Sequence, residues 1–400
     1  MIPPVYLCDG VRTPRGKASP RGGLAGVTPL EMTRAILDEV TSRSGIDPEK
    51  IDDVILGIAS QTGLQGGNLA KTAALVAGLP DTVPGVTLNR FCASGIDAVN
   101  DAVGRIAAGA ADVVIAGGVE SVSAVPMFSD RGPLWADPEV AASTGFVHMG
   151  IAADLVATLE GLDREEVDRY GVETHHRAAR AWSEGKFDRS IVTVPGPNGT
   201  LATDEHVRPD VNLEQAAALE PAFTEIGAGG MDAIALDRYP QAGSIRHVHH
   251  RGNSPSLADG AGAVIVASEA GIAAAGLTPR ARVVSFATVS VDPVIMLTSG
   301  QEATVRALDR VELGPDDVDR FEFAEAFAAL CLRFQRDFKV DRDRFNPNGG
   351  TIAMGHAFGA TGAILTVCLL DELEHSGTDR GVVAVSGAAG LGVATVIERV

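Results

Sequence analysis

The fold is decided by one stretch of the chain, Val86-Thr87-Leu88-Asn89-Arg90-Phe91-Cys92-Ala93-Ser94-Gly95. A short β-rich run ends at Asn89, and small residues follow Cys92 before a helical pattern begins. Cys92 is therefore predicted at a strand-to-helix turn, where unpaired N–H groups and the helix dipole favour a thiolate. A buried, inert cysteine fits the same pattern, because free cysteine is among the most buried residue types. One face of the predicted helix carries Ile96, Val99, Val103 and Ile106.

The segments around this stretch alternate between strand and helix patterns. Strands are predicted at 6–8, 52–57, 112–118 and 257–268, and helices at 29–42 and 68–77. The first helix has a capping box, in which Thr28 is the N-cap and Glu31 follows three residues later. The alternation predicts an α/β fold with a mostly parallel sheet covered by helices. The basic loop at 12–17 is expected to be solvated, with a role beside an active site as the alternative.

The C-terminal third of the chain repeats its start. The segment 46–54 resembles the segment 313–321 at an offset of 267 residues (313 − 46), and Ser94-Gly95 meets Thr361-Gly362 at the same offset. Two similar α/β halves are therefore expected, with an active site between them where the equivalent helix N-termini converge. The predicted boundaries are 1–119 with 251–272 for the N-terminal half, 120–250 for an inserted loop domain, and 273–400 for the C-terminal half.

Charge and composition exclude several classes of protein. A formal net charge of −19 argues against nucleic-acid binding, which needs a basic surface. The four cysteines lie far apart without a C-x-x-C, so neither a disulfide scaffold nor a zinc site is expected, and a reducing cytoplasm is the simpler interpretation. No secretory signal is recognised at the N-terminus, and no apolar run approaches the roughly 18 residues of a membrane span.

A second stretch that can carry chemistry runs from 349 to 362 and is rich in glycine, which marks close approach of the backbone. His356 in this stretch precedes a helix, and can polarise a carbonyl or exchange protons with Cys92. A structural, hydrogen-bonded histidine is the alternative interpretation. A third stretch, 384–392, is a strand that ends in a turn of small residues, and such a turn can expose backbone N–H groups to an oxyanion.

The run His247-Val248-His249-His250 invites a metal interpretation. Alternation along a strand would place His247 and His249 on one face. No cysteine or carboxylate cluster accompanies them in the sequence, and a metal site needs three or four converging ligands. No metal site is therefore predicted.

The chain resembles the thiolase family, acyltransferases that handle coenzyme A (CoA) thioesters, nearly from end to end. The motifs that carry the resemblance are 89–95, Gly117-Gly118-Val119-Glu120-Ser121, His148-Met149-Gly150, Glu325-Ala326-Phe327 and 355–362. The resemblance implies two repeated α/β halves in α-β-α-β-α layers with an inserted loop domain. It also implies that Cys92 is acylated, and that His356 activates it and helps to hold the thioester oxygen. Arg208 would meet the nucleotide end of CoA, while His148, Met149, Met296 and Phe327 would line the pantetheine and acyl pocket.

The chain departs from the family pattern at positions that carry chemistry. Ala324 replaces the asparagine or histidine that usually precedes Glu-Ala-Phe and serves the first oxyanion hole. Ser386 stands in place of the second catalytic cysteine, and a hydroxyl is a far weaker acid than a thiol. Ala357 replaces a proline, and Pro255 replaces a CoA-contacting serine, beside which Ser254 becomes the candidate. Gly387 and Ala388 are the expected backbone donors to an oxyanion.

Two functions are open at this point. The first is a thiolase-type acyltransferase that works through acyl-Cys92 and His356, with Ser386 in the second catalytic position. The alternative is a thiolase-fold protein without Claisen chemistry, acting as a thioester hydrolase or as a binder of acyl-CoA or a partner. The resemblance implies CoA as a substrate, no tightly bound cofactor, and a homodimer or homotetramer. Acyl chain length, reaction direction and pathway are not determined by the sequence.

Overall fold

The computed structural model describes residues 3–400, which form twelve strands. The strands of the main sheet are β1 (Val5–Arg12), β2 (Gly16–Lys17), β3 (Asp53–Gly57), β4 (Gly85–Leu88), β5 (Val113–Glu120), β8 (Ala258–Ser268), β9 (Ala281–Ser290), β10 (Arg320–Phe323), β11 (Arg380–Ser386) and β12 (Leu391–Arg399). A separate small hairpin consists of β6 (Pro195–Gly196) and β7 (Gly199–Thr200).

The helices fall into three groups along the chain. Those of the first half are α1 (Pro29–Ser44), α2 (Leu69–Val76) and α3 (Ser94–Ala107). Between β5 and β8 lie α4 (Pro133–Ala136), α5 (Pro138–Thr144), α6 (Met149–Leu159), α7 (Arg164–Ser183), α8 (Leu213–Ala217), α9 (Thr224–Ile226) and α10 (Asp232–Arg238). The remaining helices are α11 (Glu269–Ala275), α12 (Ser299–Asp309), α13 (Ala328–Phe338), α14 (Thr351–Met354) and α15 (Phe358–Ser376).

The main sheet has the strand order β10-β11-β12-β9-β1-β8-β5-β3-β4. From the central β1–β9 pair outward, the strands of the first half follow the order β1, β8, β5, β3, and the equivalent strands of the second half follow the order β9, β12, β11, β10. Antiparallel pairing of Tyr6 with Arg282 and of Leu7 with Ala281 joins the two halves of the sheet. The prediction of a mostly parallel sheet is wrong. Only the β3–β4, β3–β5 and β10–β11 pairs are parallel, because β8 and β12 each insert antiparallel beside the first strand of a half. The short turn between β11 and β12 forces that direction.

Two helices occupy the middle of the molecule. The side chains of α3 and α15 share one apolar cluster with inward-facing residues of both sides of the sheet. Their backbones cross closely at Gly362, where an added Cβ atom would lie only 2.4 Å from the backbone nitrogen of Ile96. On the outer face of the sheet, α1 and α2 cover the strands of the first half, while α12 and α13 cover the strands of the second half. The five α-β-α-β-α layers expected from the resemblance are confirmed.

The internal offset of 267 residues reappears in the positions of the elements. The 3-10 turns Pro48–Lys50 and Pro315–Asp317 begin 267 residues apart. The strands β5 and β11, which begin at Val113 and Arg380, have the same spacing. The capping box of α1 is also present, since Glu31 Oε2 accepts from the Thr28 N–H at 2.7 Å and Thr28 Oγ1 accepts from the Glu31 N–H at 3.1 Å. The three predicted domain boundaries stay a prediction.

One apolar segment of the insertion was not recognised from the sequence. By length and apolar composition alone, residues 138–159 could span a membrane. In the fold they form two helices, α5 and α6, which are separated at Gly145, where φ is +66°. The second of these, α6, is buried along most of its length and packs in the core of the C-terminal half. A buried position in the core accounts for its apolar composition.

Candidate active site

The Cys92 turn, defined here as residues 89–94, is held by side chains at both of its ends. Asn89 Oδ1 accepts from the Phe91 N–H at 2.8 Å, and Asn89 Nδ2 donates to the carbonyl of Ala59 at 2.9 Å. At the other end, Ser94 Oγ accepts from the Arg90 N–H and donates to the Phe91 carbonyl. These bonds maintain a φ of +50° at Phe91, a conformation that costs energy for a residue with a side chain. The turn therefore fixes Cys92 directly before α3.

The His356 turn, residues 355–361, precedes the other central helix. The His356 N–H donates to the carbonyl of Ser256 at 2.7 Å, and Nδ1 of the ring bonds with Thr361 Oγ1 at 2.8 Å. Within residues 3–400, Nε2 of the same ring makes no hydrogen bond. Phe358 has a φ of +23°, so this turn also contains a strained residue. The ring is thereby oriented by Thr361 and keeps one nitrogen available.

Glu120 and the glycines of α3 and α15 bring the two turns together. Glu120 Oε2 accepts from the Gly359 N–H at 2.9 Å, and its charge lies close enough to Cys92 to affect that thiol. A Cβ on Gly95 would lie 2.6 Å from the carbonyl oxygen of Gly359, so the start of α3 touches the start of α15. The expected convergence of the two helix N-termini is therefore observed.

The protonation states of the pair differ from the sequence expectation. Burial raises the pKa of Cys92 to about 12, and the nearby Glu120 carboxylate adds to this rise. Burial lowers the pKa of His356 to about 4, and the Arg15 guanidinium contributes to that decrease. This direction is opposite to the expectation that the helix N-terminus stabilises a resting thiolate, and its main cause is the loss of water around the thiol. Both shifts favour the uncharged form, the thiol for Cys92 and the imidazole for His356.

The turn after β11 lies against the Cys92 turn. A Cβ on Gly387 would lie 3.1 Å from the carbonyl oxygen of Arg90, so the two turns are in contact. Ala389 has a φ of +57°, and the Ala388 N–H has no hydrogen-bond acceptor within the described residues. An N–H without an acceptor in the protein is the donor type that an oxyanion needs.

Ser386 is placed differently from Cys92 and His356. Its hydroxyl donates to the carbonyl of Leu297 at 2.8 Å and accepts from the Gly300 N–H at 2.9 Å. Ala324, the other departure, is buried in the apolar cluster against which Cys92 packs, and it offers no side-chain donor there. The Ser386 hydroxyl thus holds the chain that leads into α12, and its proton is engaged in this bond.

The basic loop at 12–17 is buried from Arg12 to Gly16, and only Lys17 is exposed, so the expectation of a solvated loop is wrong. Arg12 and Arg15 both pair with the Asp204 carboxylate, at 2.9 and 3.0 Å. Burial alone would raise the pKa of Asp204, but these two guanidinium groups hold it well below its usual range. Arg15 Nη1 also donates to the carbonyl of Gly355 at 3.3 Å. The loop therefore supports the backbone next to His356, which is the alternative that the sequence left open.

Arg208 lines a cleft of about 440 Å³ at the surface of the insertion. Its Nη2 lies 3.0 Å from His175 Nε2, and Arg251 lines the same cleft. Burial lowers the pKa of Arg208, and repulsion by the Arg251 guanidinium adds to this. Two neighbouring cations at a cleft provide an anion-binding surface. The sequence analysis did not select Arg251 as a residue of this cleft. The only signal for it in the sequence is that it directly precedes the segment 252–256.

The residues expected around the acyl group gather beside α6. Met296 is fully buried, Phe327 is 7 % exposed, and Met149 packs against the same core. His148 is the N-cap of α6, and its ring lies 5.3 Å from that of Phe223. Phe223 also lies 5.8 Å from Phe327, although the sequence analysis did not select it. Its signal was weak, because it lies in a loop without a helical or strand period.

In the 247–256 loop, two histidines form buried hydrogen bonds with aspartates, and the hydroxyl of Ser254 has no partner. His249 Nδ1 bonds with Asp154 Oδ1, and His250 Nε2 bonds with Asp168 Oδ1, both at 2.7 Å. The Ser254 hydroxyl is buried without a hydrogen-bond partner in the part of the chain that the structure describes. A buried hydroxyl without a partner is costly, which fits a group that a bound ligand would satisfy.

Comparisons with known proteins agree along the whole chain. The family description "Thiolase, N-terminal domain" matches residues 5–234, and "Thiolase, C-terminal domain" matches residues 277–399. A steroid 3-ketoacyl-CoA thiolase of Mycobacterium tuberculosis is 35% identical, over 98% of this chain and 94% of that protein. A beta-ketoadipyl-CoA thiolase of Escherichia coli is 37% identical, over 99% of both chains.

Solved structures give the same result. The acetyl-CoA acetyltransferase of Bacillus anthracis superposes with a TM-score of 0.85 at 32% identity, covering 100% of this chain and 99% of that one. Human mitochondrial 3-ketoacyl-CoA thiolase in complex with CoA has a TM-score of 0.86 at 29% identity, covering 100% of this chain and 98% of that one.

Proposed function

The chain belongs to the thiolase family, and we propose that its acyl transfer runs through Cys92 and His356. It is a CoA-dependent acyltransferase of thiolase type, an activity of fatty-acid metabolism. The proposal concerns the residues that do the work and the substrate. The observation that supports it is that the starts of α3 and α15 touch at Gly95 and Gly359, while the turn at Gly387 touches the Cys92 turn.

We propose that the substrate is a 3-ketoacyl-CoA. His356 takes the thiol proton of Cys92 on its free nitrogen while the sulfur attacks the ketone carbon. The bond between the α-carbon and that carbon breaks, which leaves the acyl group on Cys92 and a carbanion on acetyl-CoA, and the carbanion takes up the proton that His356 removed from Cys92. The thiol of a second CoA then attacks the acyl-enzyme, forms the shortened acyl-CoA and returns a proton to Cys92. The reverse sequence is condensation.

Oxyanion stabilisation in this proposal comes from the backbone. The Ala388 N–H, in the turn that contacts the Cys92 turn, donates to the oxygen of the tetrahedral intermediate. The expectation that Gly387 is a second donor is wrong, because its N–H already donates to the carbonyl of Leu391 at 2.6 Å. At Ala324 a donor is lacking, so the hydrogen bond to the thioester oxygen falls to His356. Ser386 is retained in the proposal as the residue in the second catalytic position. With its proton bonded to Leu297, it leaves the proton exchange to His356.

The CoA moiety is proposed to lie along the insertion. Arg208, with Arg251 beside it, would meet the phosphates at the cleft, and the Ser254 hydroxyl would gain a partner from the pantetheine amides. His148, Met149, Met296 and Phe327 would enclose the acyl end. We further propose a cytoplasmic homodimer or homotetramer without a tightly bound cofactor. The open edge of β4, whose residues are all partly exposed, favours pairing with a second copy.

The test is the mass of the intact protein after incubation with acetoacetyl-CoA and acetyl-CoA, for the native chain and for Cys92→Ala. We expect an acetyl adduct on the native chain alone, which free CoA discharges to acetyl-CoA. Discharge to water at the same rate with and without CoA would overturn acyl transfer to CoA. An equal adduct on Cys92→Ala would overturn the role of Cys92. Scattering of the native chain in solution gives its oligomeric state.

A further inference from the structure

A surface segment that neither the family motifs nor the catalytic turns include covers the proposed acyl site. This cover, residues 223–238, contains α9, a glycine-rich turn and α10, and only Gly227 and Ala235 in it are buried. Gly230 has a φ of +120°, which is favourable only for glycine. A segment with so little buried area is held by a few individual contacts rather than by a core of its own.

The inner side of the cover lies on the acyl-site residues. Met231 Sδ accepts a hydrogen bond from the His148 N–H at 3.2 Å, and Met231 packs against the core of the C-terminal half. Phe223 lies so close to α6 that a Cβ on Gly150 would be 2.3 Å from its ring. Met231 and Phe223 therefore fill the space above His148 and Phe327. An adaptable thioether in this position sets the volume left for an acyl chain.

The outer side of the cover is tied by one histidine. His247 Nε2 lies 3.0 Å from Asp232 Oδ2 on α10, and His247 Nδ1 lies 2.8 Å from Asp154 Oδ2 on α6. Only an imidazolium can donate at both ring nitrogens, so the geometry requires the charged form. Hydrogen bonding to Asp154 and Asp232 raises the pKa of His247 above its ordinary value. A single cation thus links the cover to the helix that begins at Met149.

Gly227 gives the contact its shape. A Cβ at this position would lie 2.4 Å from Asp232 Oδ1, so the carboxylate rests directly on the glycine backbone. The φ of −60° at Gly227 is open to any residue, and alanine would displace the carboxylate without straining the chain. The other tie of the cover, between Arg238 and Asp292, leaves Arg238 65 % exposed and adds little.

We propose that Met231 limits the length of the acyl chain that the enzyme accepts, and that the His247–Asp232 contact holds Met231 in that position. The inference rests on the proposed function of the neighbouring site. His247 is a positioning residue, since it touches the cover and not the substrate. Loss of the contact releases the cover and admits longer straight-chain 3-ketoacyl groups.

The experiment compares kcat/KM for CoA-dependent cleavage of acetoacetyl-CoA and 3-ketodecanoyl-CoA. Met231→Ala is expected to raise the ratio of long-chain to short-chain kcat/KM about tenfold, because a few methylene groups of room separate substrates by at least that much. The change should be in KM for the long substrate. Met231→Leu, which keeps the side-chain volume, is expected to shift the ratio much less.

Two variants test the tie without touching the inner side of the cover. His247→Gln and Gly227→Ala are expected to shift the ratio in the same direction as Met231→Ala, by about three- to fivefold, because a lost charge-assisted contact frees the cover only part of the time. Glu225→Gln removes a charge from an exposed position in the same segment and should leave the ratio unchanged. Thermal unfolding of each variant verifies that the fold is kept.

The outcomes separate the two proposals. An unchanged ratio in Met231→Ala, His247→Gln and Gly227→Ala, with normal cleavage of acetoacetyl-CoA, would overturn the role of the cover and leave the proposed function intact. A shift in Met231→Ala but in neither of the other two would overturn the role of His247. Absence of cleavage by the native chain with both substrates would overturn the proposed function itself, and the inference with it.

Discussion

The Cys92 turn and the His356 turn stand at equivalent positions of the two halves, yet only one of them carries a cysteine. At the offset of 267 residues (358 − 91), Phe91 corresponds to Phe358, and both have a positive φ, +50° and +23°. Ser94 corresponds to Thr361, and each hydroxyl bonds within its own turn. The two halves therefore share the backbone conformation and a hydroxyl at the same position of the turn.

The difference lies in the side chain that each half carries at the first of these positions and in how that side chain is bonded. Asn89 occupies the position of His356 at this offset (356 − 89), and both ends of its amide are used by backbone groups. In the second half, Thr361 holds only Nδ1, so Nε2 of His356 stays free. Cys92 corresponds to Gly359 (359 − 92), whose N–H binds Glu120. One scaffold used twice thus places a cysteine in one copy and a histidine with a free nitrogen in the other, near the contact of their helices.

The largest expected effect comes from removing the nucleophile. Cys92→Ala should lower kcat for thiolysis by at least about 10³-fold, because no group in the equivalent turn can take its place. The measurement is the rate of acetoacetyl-CoA cleavage, with the intact mass as a second readout. Cys8→Ala, which removes a buried thiol from β1, is the matched control and should form the acyl adduct normally. Equal loss in both variants would contradict the assignment.

The second prediction removes the base from the other turn. His356→Gln should lower kcat by about 10²- to 10³-fold, in the range that general-base catalysis contributes. Acylation of Cys92 by acetyl-CoA, followed by mass, should slow by a similar factor while binding of CoA is kept. A variant that retains more than half of the native rate would show that the free nitrogen of His356 is not used.

The pH dependence follows from the same pair. The pKa of His356 is lowered to about 4, so the base is neutral above this pH and is lost as the pH falls through about 4. The pKa of Cys92 is raised to about 12, so alkylation by iodoacetamide should keep rising with pH toward that value. An acid limb of kcat/KM near the ordinary histidine pKa of about 6.5 would contradict the neutral pair. The measurement is a pH series with the native chain and His356→Gln.

A smaller effect is expected at Ser386, a residue of the second half whose hydroxyl has no counterpart in the first half. Ser386→Ala should reduce the free energy of unfolding by about 1–3 kcal/mol, because the buried Gly300 N–H loses its acceptor. Chemical denaturation measures this change. Ser386→Cys restores the thiol that family members have, and should speed exchange of the α-protons of acetyl-CoA. Unchanged exchange in a folded Ser386→Cys variant would show that the position has no part in proton transfer.

The smallest expected effect concerns the two hydroxyls. Thr361→Val should lower kcat about fivefold, since one hydrogen bond worth about 1 kcal/mol orients the ring of His356. Thr361→Ser keeps the hydroxyl and should stay near the native rate. Ser94→Ala should instead lower the melting temperature, because its hydroxyl supports backbone groups of a strained turn. Similar effects of Thr361→Val and Ser94→Ala on kcat would remove the distinction between the turns.

Much of the fold was predictable from local patterns. The capping box of α1 and the turn at Cys92 depend on residues near one another in sequence, and the repeat is visible when two stretches of the same sequence are compared. The sequence alone therefore contains the signal of all three. The mixed direction of the sheet was not predictable. Where β8 and β12 insert depends on pairing between strands that are distant in sequence, and strand patterns do not encode direction.

The candidate site was predictable to the extent that its residues lie in glycine-rich turns or family motifs. The buried pairing of Arg12 and Arg15 with Asp204 was not, because a basic loop and a distant aspartate give no joint signal. The roles of Phe223, Met231 and Arg251 were missed for the same reason. Their neighbours come from other segments, and only the folded chain brings these together.

By itself, the sequence determined that two similar halves exist, that Cys92 and His356 each precede a helix, and that the chain resembles thiolases. Tertiary structure alone decided the charge states of these groups and the space around them. The reason is physical. Residue type sets which proton a side chain can exchange, while its pKa depends on the water it has lost and on the charges that the fold places beside it, such as Glu120 beside Cys92 and Arg15 beside His356.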